Sequence, residues 1–286
     1  MKKISVIREL VKEVSQIWVL KRPTLLAAAL AYYGVFSFAP VIYLAFLLAG
    51  IFINEAAFAE RFYARLEAIF GAETAIFIQD TVAAIANTSS GSSILISIIS
   101  FLALFFAASG IFYQLQFALN TIWQTPGSSQ QQARAFVRYR LFSFLMVILL
   151  GLLIILIAAL NVILLWFGSL IEIFLPNSGW LTFLNFLVLV GVIILAIAFM
   201  YKVLPDVKIT WQDVLPGSLI ATLLMILGGL LFGLYFRFGG IGSALEAAGA
   251  FAVLLIAIYT FAQIFLFGAV FTRAYAQRYG SLRELP

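Results

Sequence analysis

The chain has no cysteine and no histidine, and only 10% of its 286 residues are charged. The missing cysteine excludes disulfides, thiolate nucleophiles and Cys/His zinc sites; the missing histidine excludes histidine acid–base catalysis and histidine ligation of haem. Any chemistry would have to rest on carboxylates, tyrosines or hydroxyls. The shortage of charge is equally restrictive, because soluble domains are about one-quarter charged. There is no Walker loop, no GxSxG and no metal-ligand spacing, and Gly239-Gly240-Ile241-Gly242 reads as a turn rather than a phosphate cradle.

What is present is apolar surface: 64% of the residues are hydrophobic and the mean hydropathy is +1.12, values of an integral membrane protein. Residues 23–52 carry no charge and exceed the roughly 20 residues that cross a bilayer as a helix. Pro40 lies near the middle of this run; it lacks an N–H, so a kink is expected where the Phe36 carbonyl loses its donor. Further spans are expected over 94–122, 141–167, 180–201, 214–236 and 247–271. Asp213 is expected to cap the fifth span, with Pro216 in its first turn. No cleavable leader precedes residue 23, so the first span is expected to serve as its own insertion signal.

Two stretches are amphipathic rather than apolar. In residues 1–22 the positions Ile7, Leu10, Val14, Ile17 and Trp18 recur at helical spacing beside six lysines and arginines, which predicts a helix on the membrane surface. Residues 54–93 are acidic and follow a 3.6 period at Phe58, Phe62, Leu66, Ile69 and Phe70, which predicts one or two external helices. The expected fold is therefore all-α: a polytopic membrane protein of six transmembrane helices, plus N-terminal and external interfacial amphipathic helices, in a single membrane domain over residues 1–286. With both termini inside, 14 of the 17 lysines and arginines fall on the cytoplasmic side. The net charge of +5 is thus mostly an orientation signal and no argument for nucleic acid.

Three pieces carry a family resemblance: LAAALAYYGVFSFAP (residues 26–40), QLQFALNTIW (residues 114–123) and VLPDVKITWQDVLPGSLIATLL (residues 203–224). Together with the six-span layout, the sequence resembles the YihY/BrkB proteins of bacterial inner membranes, historically mislabelled ribonuclease BN. It departs from that family in two places. Val270 follows Gly268-Ala269 where a glutamate is usual, and GGIGSALEAAG replaces the usual Tyr-Gly before the last span. The resemblance implies a six-helix inner-membrane protein without assigning it an activity.

The residues exclude more than they assign. A nuclease needs histidines or paired carboxylates on metals, and the only close cytoplasmic pair is Glu9 and Glu13, at a spacing common on solvated helix faces. No Asp, Glu, Lys or Arg falls near the middle of a span, so a carrier built on a deep carboxylate is disfavoured. Uncharged polar groups remain: Tyr33 and Ser37, then Tyr113, Gln116 and Asn120, then Tyr259 and Gln263, all of which helix-to-helix hydrogen bonding would also explain. With Arg138 and Arg140 as receptors for an anionic headgroup, they form the candidate binding set. The expected activity is transport or flipping of a lipid or other amphiphile, without catalysis, metal or cofactor. The expected partners are anionic membrane lipids, with a second copy or an external protein also weighed. The competing reading is a non-transporting scaffold or envelope-assembly factor.

Overall fold

A computed structural model describes residues 2–50, 55–89, 94–123, 180–238 and 246–283, together with Leu145, Ile148, Leu149, Leu152 and Leu156. The helices are α1 (Lys2–Lys21), α2 (Pro23–Gly50), α3 (Glu55–Phe70), α4 (Ala72–Ser89), α5 (Ile94–Trp123), α6 (Trp180–Val203), α7 (Trp211–Phe238) and α8 (Glu246–Tyr279). Among the described residues five helices are long and apolar enough to cross a bilayer: α2, α5, α6, α7 and α8. The sixth expected span, over 141–167, lies outside the described residues except for the five just named, each of which is helical.

The other helices assemble around α8, which packs against α1, α2, α4, α5 and α7; α2 in turn packs on α5 and α6 on α7. The expected last span ends at 271, yet α8 continues through Arg273 and Arg278 to Tyr279. Both cations have partners that let the helix go on. Arg273 donates to the Ile122 carbonyl at the end of α5, and Arg278 pairs with Glu9 of α1 and reaches Glu13 at 3.7 Å. A cation against the last carbonyls of α5 also suits that helix's negative end.

This extension changes what α1 does. The stripe Leu10, Val14, Ile17 and Trp18, expected to face the bilayer, packs instead into the main core, with the Trp18 ring edge-on to Phe267 at 5.8 Å. Val11, Val19 and Leu20 are left outward beside exposed Arg8 and Lys12. Glu9 and Glu13 hold Arg278, so the carboxylate pair that a nuclease would need is occupied in tying α1 to α8. Burial raises the Glu13 carboxyl above its usual range, the nearby Arg273 charge opposing it.

At the opposite end of the bundle α3 and α4 form a hairpin. Phe62, Leu66, Ala75, Ile78 and Val82 close a second core over Ala39, Ile42 and Phe46 of α2 and Leu254 of α8. The hairpin turns at Gly71, whose φ of 84° is left-handed and whose N–H donates to the Glu67 carbonyl at 2.9 Å. Arg22 does the same work between α1 and α2 at a φ of 46°, a strained choice for a residue with a Cβ and one that precedes proline. Gly71→Ala is expected to lower the stability by about 1 kcal/mol and Arg22→Gly to raise it by a similar amount. Thermal unfolding of the detergent-solubilised chain, followed by size-exclusion fluorescence, reads both signs.

Candidate functional site

Where α2, α5 and α8 meet, their bulky faces leave a cavity of about 390 Å³. α2 contributes Leu30, Ser37, Phe38 and Val41; α5 contributes Ile111, Phe112 and Leu115; α8 contributes a face running from Leu254 to Phe265. Met200 of α6 and Phe70, the last residue of α3, complete the wall. Phe70 is held edge-on to Phe232 at 6.1 Å and to Phe261 at 6.5 Å, so the hairpin reaches into the cavity with one aromatic ring.

Among the described residues Ser37 is the only hydroxyl-bearing side chain in the lining, and its Oγ donates to the Ala107 carbonyl at 2.7 Å. A serine hydroxyl bonded to a neighbouring helix's carbonyl is a packing device. The interior therefore offers shape and hydrocarbon contact but little hydrogen bonding. Small residues set the shape. A Cβ at Gly34 would stand 2.7 Å from Ile258 Cγ2, so α2 and α8 approach closely beside the cavity.

Of the candidate residues, Ser37 alone lines this space. Tyr33 lies on the surface, 42% exposed and edge-on to Tyr32 at 5.6 Å. Tyr113, Gln116 and Asn120 occupy positions on α5 that the cavity does not use, and Tyr259 and Gln263 do the same on α8. Asn120 is engaged elsewhere: its amide donates to Asp206 Oδ2 at 3.0 Å and its carbonyl accepts from the Asp206 N–H at 2.8 Å. α2 runs through Pro40 without a break, and Pro40 is buried. Arg138 and Arg140 lie outside the described residues. The aromatic walls Phe38, Phe70, Phe112, Phe261 and Phe265 carry no polar mark in the sequence, so only their helical spacing hinted at a shared face.

The polar groups concentrate at the end of the bundle where α1 sits. There Asp213 is buried and accepts four hydrogen bonds: from the Thr210 N–H at 2.9 Å and hydroxyl at 2.7 Å, and from the Ser281 N–H at 3.2 Å and hydroxyl at 2.6 Å. Thr210 takes the cap position before α7, and Asp213, three residues on, reaches back to it in a capping-box arrangement. Pro216 stands inside α7 within its first two turns. Lys202 donates to the Ile209 carbonyl at 2.7 Å and lies 5.4 Å from the centre of the Trp211 ring. These contacts clamp the connector between α6 and α7; they do not converge on an open space. Among the described residues no group of three or more histidines, cysteines, aspartates or glutamates is arranged to hold a metal.

Fold and cavity together define an all-helical, multi-pass membrane protein without a reactive cluster among its described residues. The chain belongs to the family described as virulence factor BrkB, which matches it over residues 16–285. It is also 27% identical over 253 residues to a UPF0761 membrane protein of Tolumonas auensis, a likeness that covers 88% of this chain and 80% of the relative. No solved structure matches. The family assignment makes it a multi-pass protein of the bacterial inner membrane.

Proposed function

We propose that the protein carries a lipid-like amphiphile between the leaflets of the bacterial inner membrane, with both termini in the cytoplasm. The observation that carries this reading is the apolar cavity bounded by α2, α5 and α8 at membrane depth. A water-soluble or ionic substrate would find little to bond with among the described lining residues, because Ser37 is their one hydroxyl side chain and is already bonded. The charge distribution supports the orientation. The end holding α1 carries Lys21, Lys202, Lys208, Arg278 and Arg283, while the α3–α4 hairpin exposes Glu60, Glu67, Glu73 and Asp80 against only Arg61 and Arg65. Parity supports six crossings: α5 ends, and α7 begins, at the α1 end of the bundle, where α6 also finishes. In this scheme Arg138 and Arg140, on the same side, receive an anionic headgroup.

Reconstitution into liposomes tests the reading. Dithionite quenching of a fluorescent phosphatidylglycerol should show transbilayer movement at least about tenfold faster than in protein-free vesicles. Ala262→Trp, which fills the cavity from α8, should return the rate to the protein-free level while the chain stays monodisperse. Equal rates with and without the wild-type protein would defeat transport and favour the scaffold reading, in which the exposed carboxylates of the hairpin meet a partner.

A further inference from the structure

From Leu254 to Phe265 on α8, and from Leu30 to Val41 on α2, the cavity lining extends roughly 17 Å along the helices, about half of the roughly 30 Å hydrocarbon core. A space of about 390 Å³ drawn out over that length and walled by hydrocarbon suits an extended acyl chain. At one end of the lining stand Met200 and Phe265, next to the ring of fully buried Tyr201, whose hydroxyl donates to the Phe265 carbonyl at 2.5 Å. At the other stands Leu254, and Phe70 enters from the interfacial hairpin between the two ends, beside Phe261. An apolar void of this size inside a bilayer is adjacent to its natural filler, and leaving it empty forfeits dispersion contacts along its whole wall.

We propose that this cavity binds an acyl chain of a membrane phospholipid, lying along α8 between Leu254 and Phe265, with the headgroup outside the cavity. The inference deepens the transport reading by naming the part of the amphiphile that the protein holds. It also gives Phe70 a role: as the one described cavity residue that the hairpin contributes, it contacts the chain beside Phe261. Inside the cavity selection then falls on chain length and saturation, because Ser37, the one hydroxyl among the described lining residues, is already bonded, and the headgroup is left to groups outside it.

The test uses the full chain in nanodiscs containing a phosphatidylglycerol with a mid-chain diazirine. After irradiation, adducts are mapped by mass spectrometry. Adducts are expected at Phe38, Ile258 and Phe261, beside a background at Leu219 and Leu227, which lie on the exposed face of α7. Ala262→Trp should lower the cavity adducts at least about tenfold while the α7 background holds, and Ala257→Leu, a smaller filler, should lower them in the same direction. Cavity yields no higher than the α7 background, or yields unchanged in both variants, would overturn the proposal. Scrambling rates on the same preparations separate the two ideas. Cavity labelling without scrambling keeps the chain-binding site and removes transport; scrambling without cavity labelling does the reverse.

Discussion

Gly268→Ala is expected to destabilise the protein by about 3 kcal/mol or more, a larger penalty than methyl insertion into a helix face normally brings. A Cβ there would meet the Tyr201 hydroxyl, Ala221 Cβ at 2.7 Å and the Gly217 carbonyl at 2.8 Å. The facing position is as tight: a Cβ at Gly217 would collide with Thr272 Oγ1 and stand 2.5 Å from the Gly268 carbonyl. Two of these obstacles are backbone atoms, which cannot rotate aside, so α7 and α8 would have to separate. Thr272 cannot yield freely either, because its hydroxyl donates to the Gly268 carbonyl at 2.8 Å. Separation would also break the Tyr201 bond to Phe265 that ties α6 to the same crossing. Gly191→Ala and Gly229→Ala serve as controls, since nothing lies within 4 Å of either new methyl. The melting temperature should fall sharply for Gly268→Ala and Gly217→Ala and stay level or rise slightly for the controls. Similar melting temperatures across all four would mean that the α7–α8 crossing is looser than the geometry requires.

That crossing also shows where sequence reasoning reached and where it stopped. The spans were legible because hydrocarbon thickness sets a length and charge is excluded from it, so α2, α5, α6, α7 and α8 stand out by composition. The 3.6 period made α3 legible as an amphipathic helix, but whether residues 54–93 held one helix or two, and the turn at Gly71 between them, were not. The end of α8 was not, because Arg273 and Arg278 read as the edge of a span, and their partners Ile122, Glu9 and Glu13 are supplied by distant parts of the chain. The apolar stripe of α1 was legible as a stripe, but its target was not, because bilayer and protein core attract the same residues. The cavity is harder still. It is defined by where side chains fail to meet, and the spacing that puts Leu254, Ile258, Phe261 and Phe265 on one face is the same for a filled interface as for a vacant one. Polar residues drew attention because they are rare at membrane depth, yet Asn120 proved to bracket Asp206, a residue 86 positions away.

Asp213→Ala should be the most damaging change at the α1 end, lowering stability by about 3 kcal/mol or more. The carboxylate joins the start of α7 to the end of α8 by accepting from Thr210 and Ser281, and its removal takes the acceptor from two backbone N–H groups and two hydroxyls at a half-buried junction, where Asp213 itself is buried. The space itself is shaped for this group, since a Cβ at Gly280 would strike Asp213 Oδ1. Asp213→Asn is the sharper experiment. It keeps the volume but turns one acceptor oxygen into an amide that faces donors, so most of the loss should persist. Ser281→Ala removes one hydroxyl and should cost about 1 kcal/mol. Because the two residues share their bonds, the double variant should lose less than the two single losses added together. Full additivity in the melting data would show that Ser281 and Asp213 act independently, and the clasp between α7 and α8 would then need another origin. Lipid transfer supplies a second readout. The clasp lies at the α1 end of the bundle, beyond Phe265 where the cavity lining stops, so a variant that still folds should keep its acyl-chain adducts at Phe261 even as its melting temperature falls.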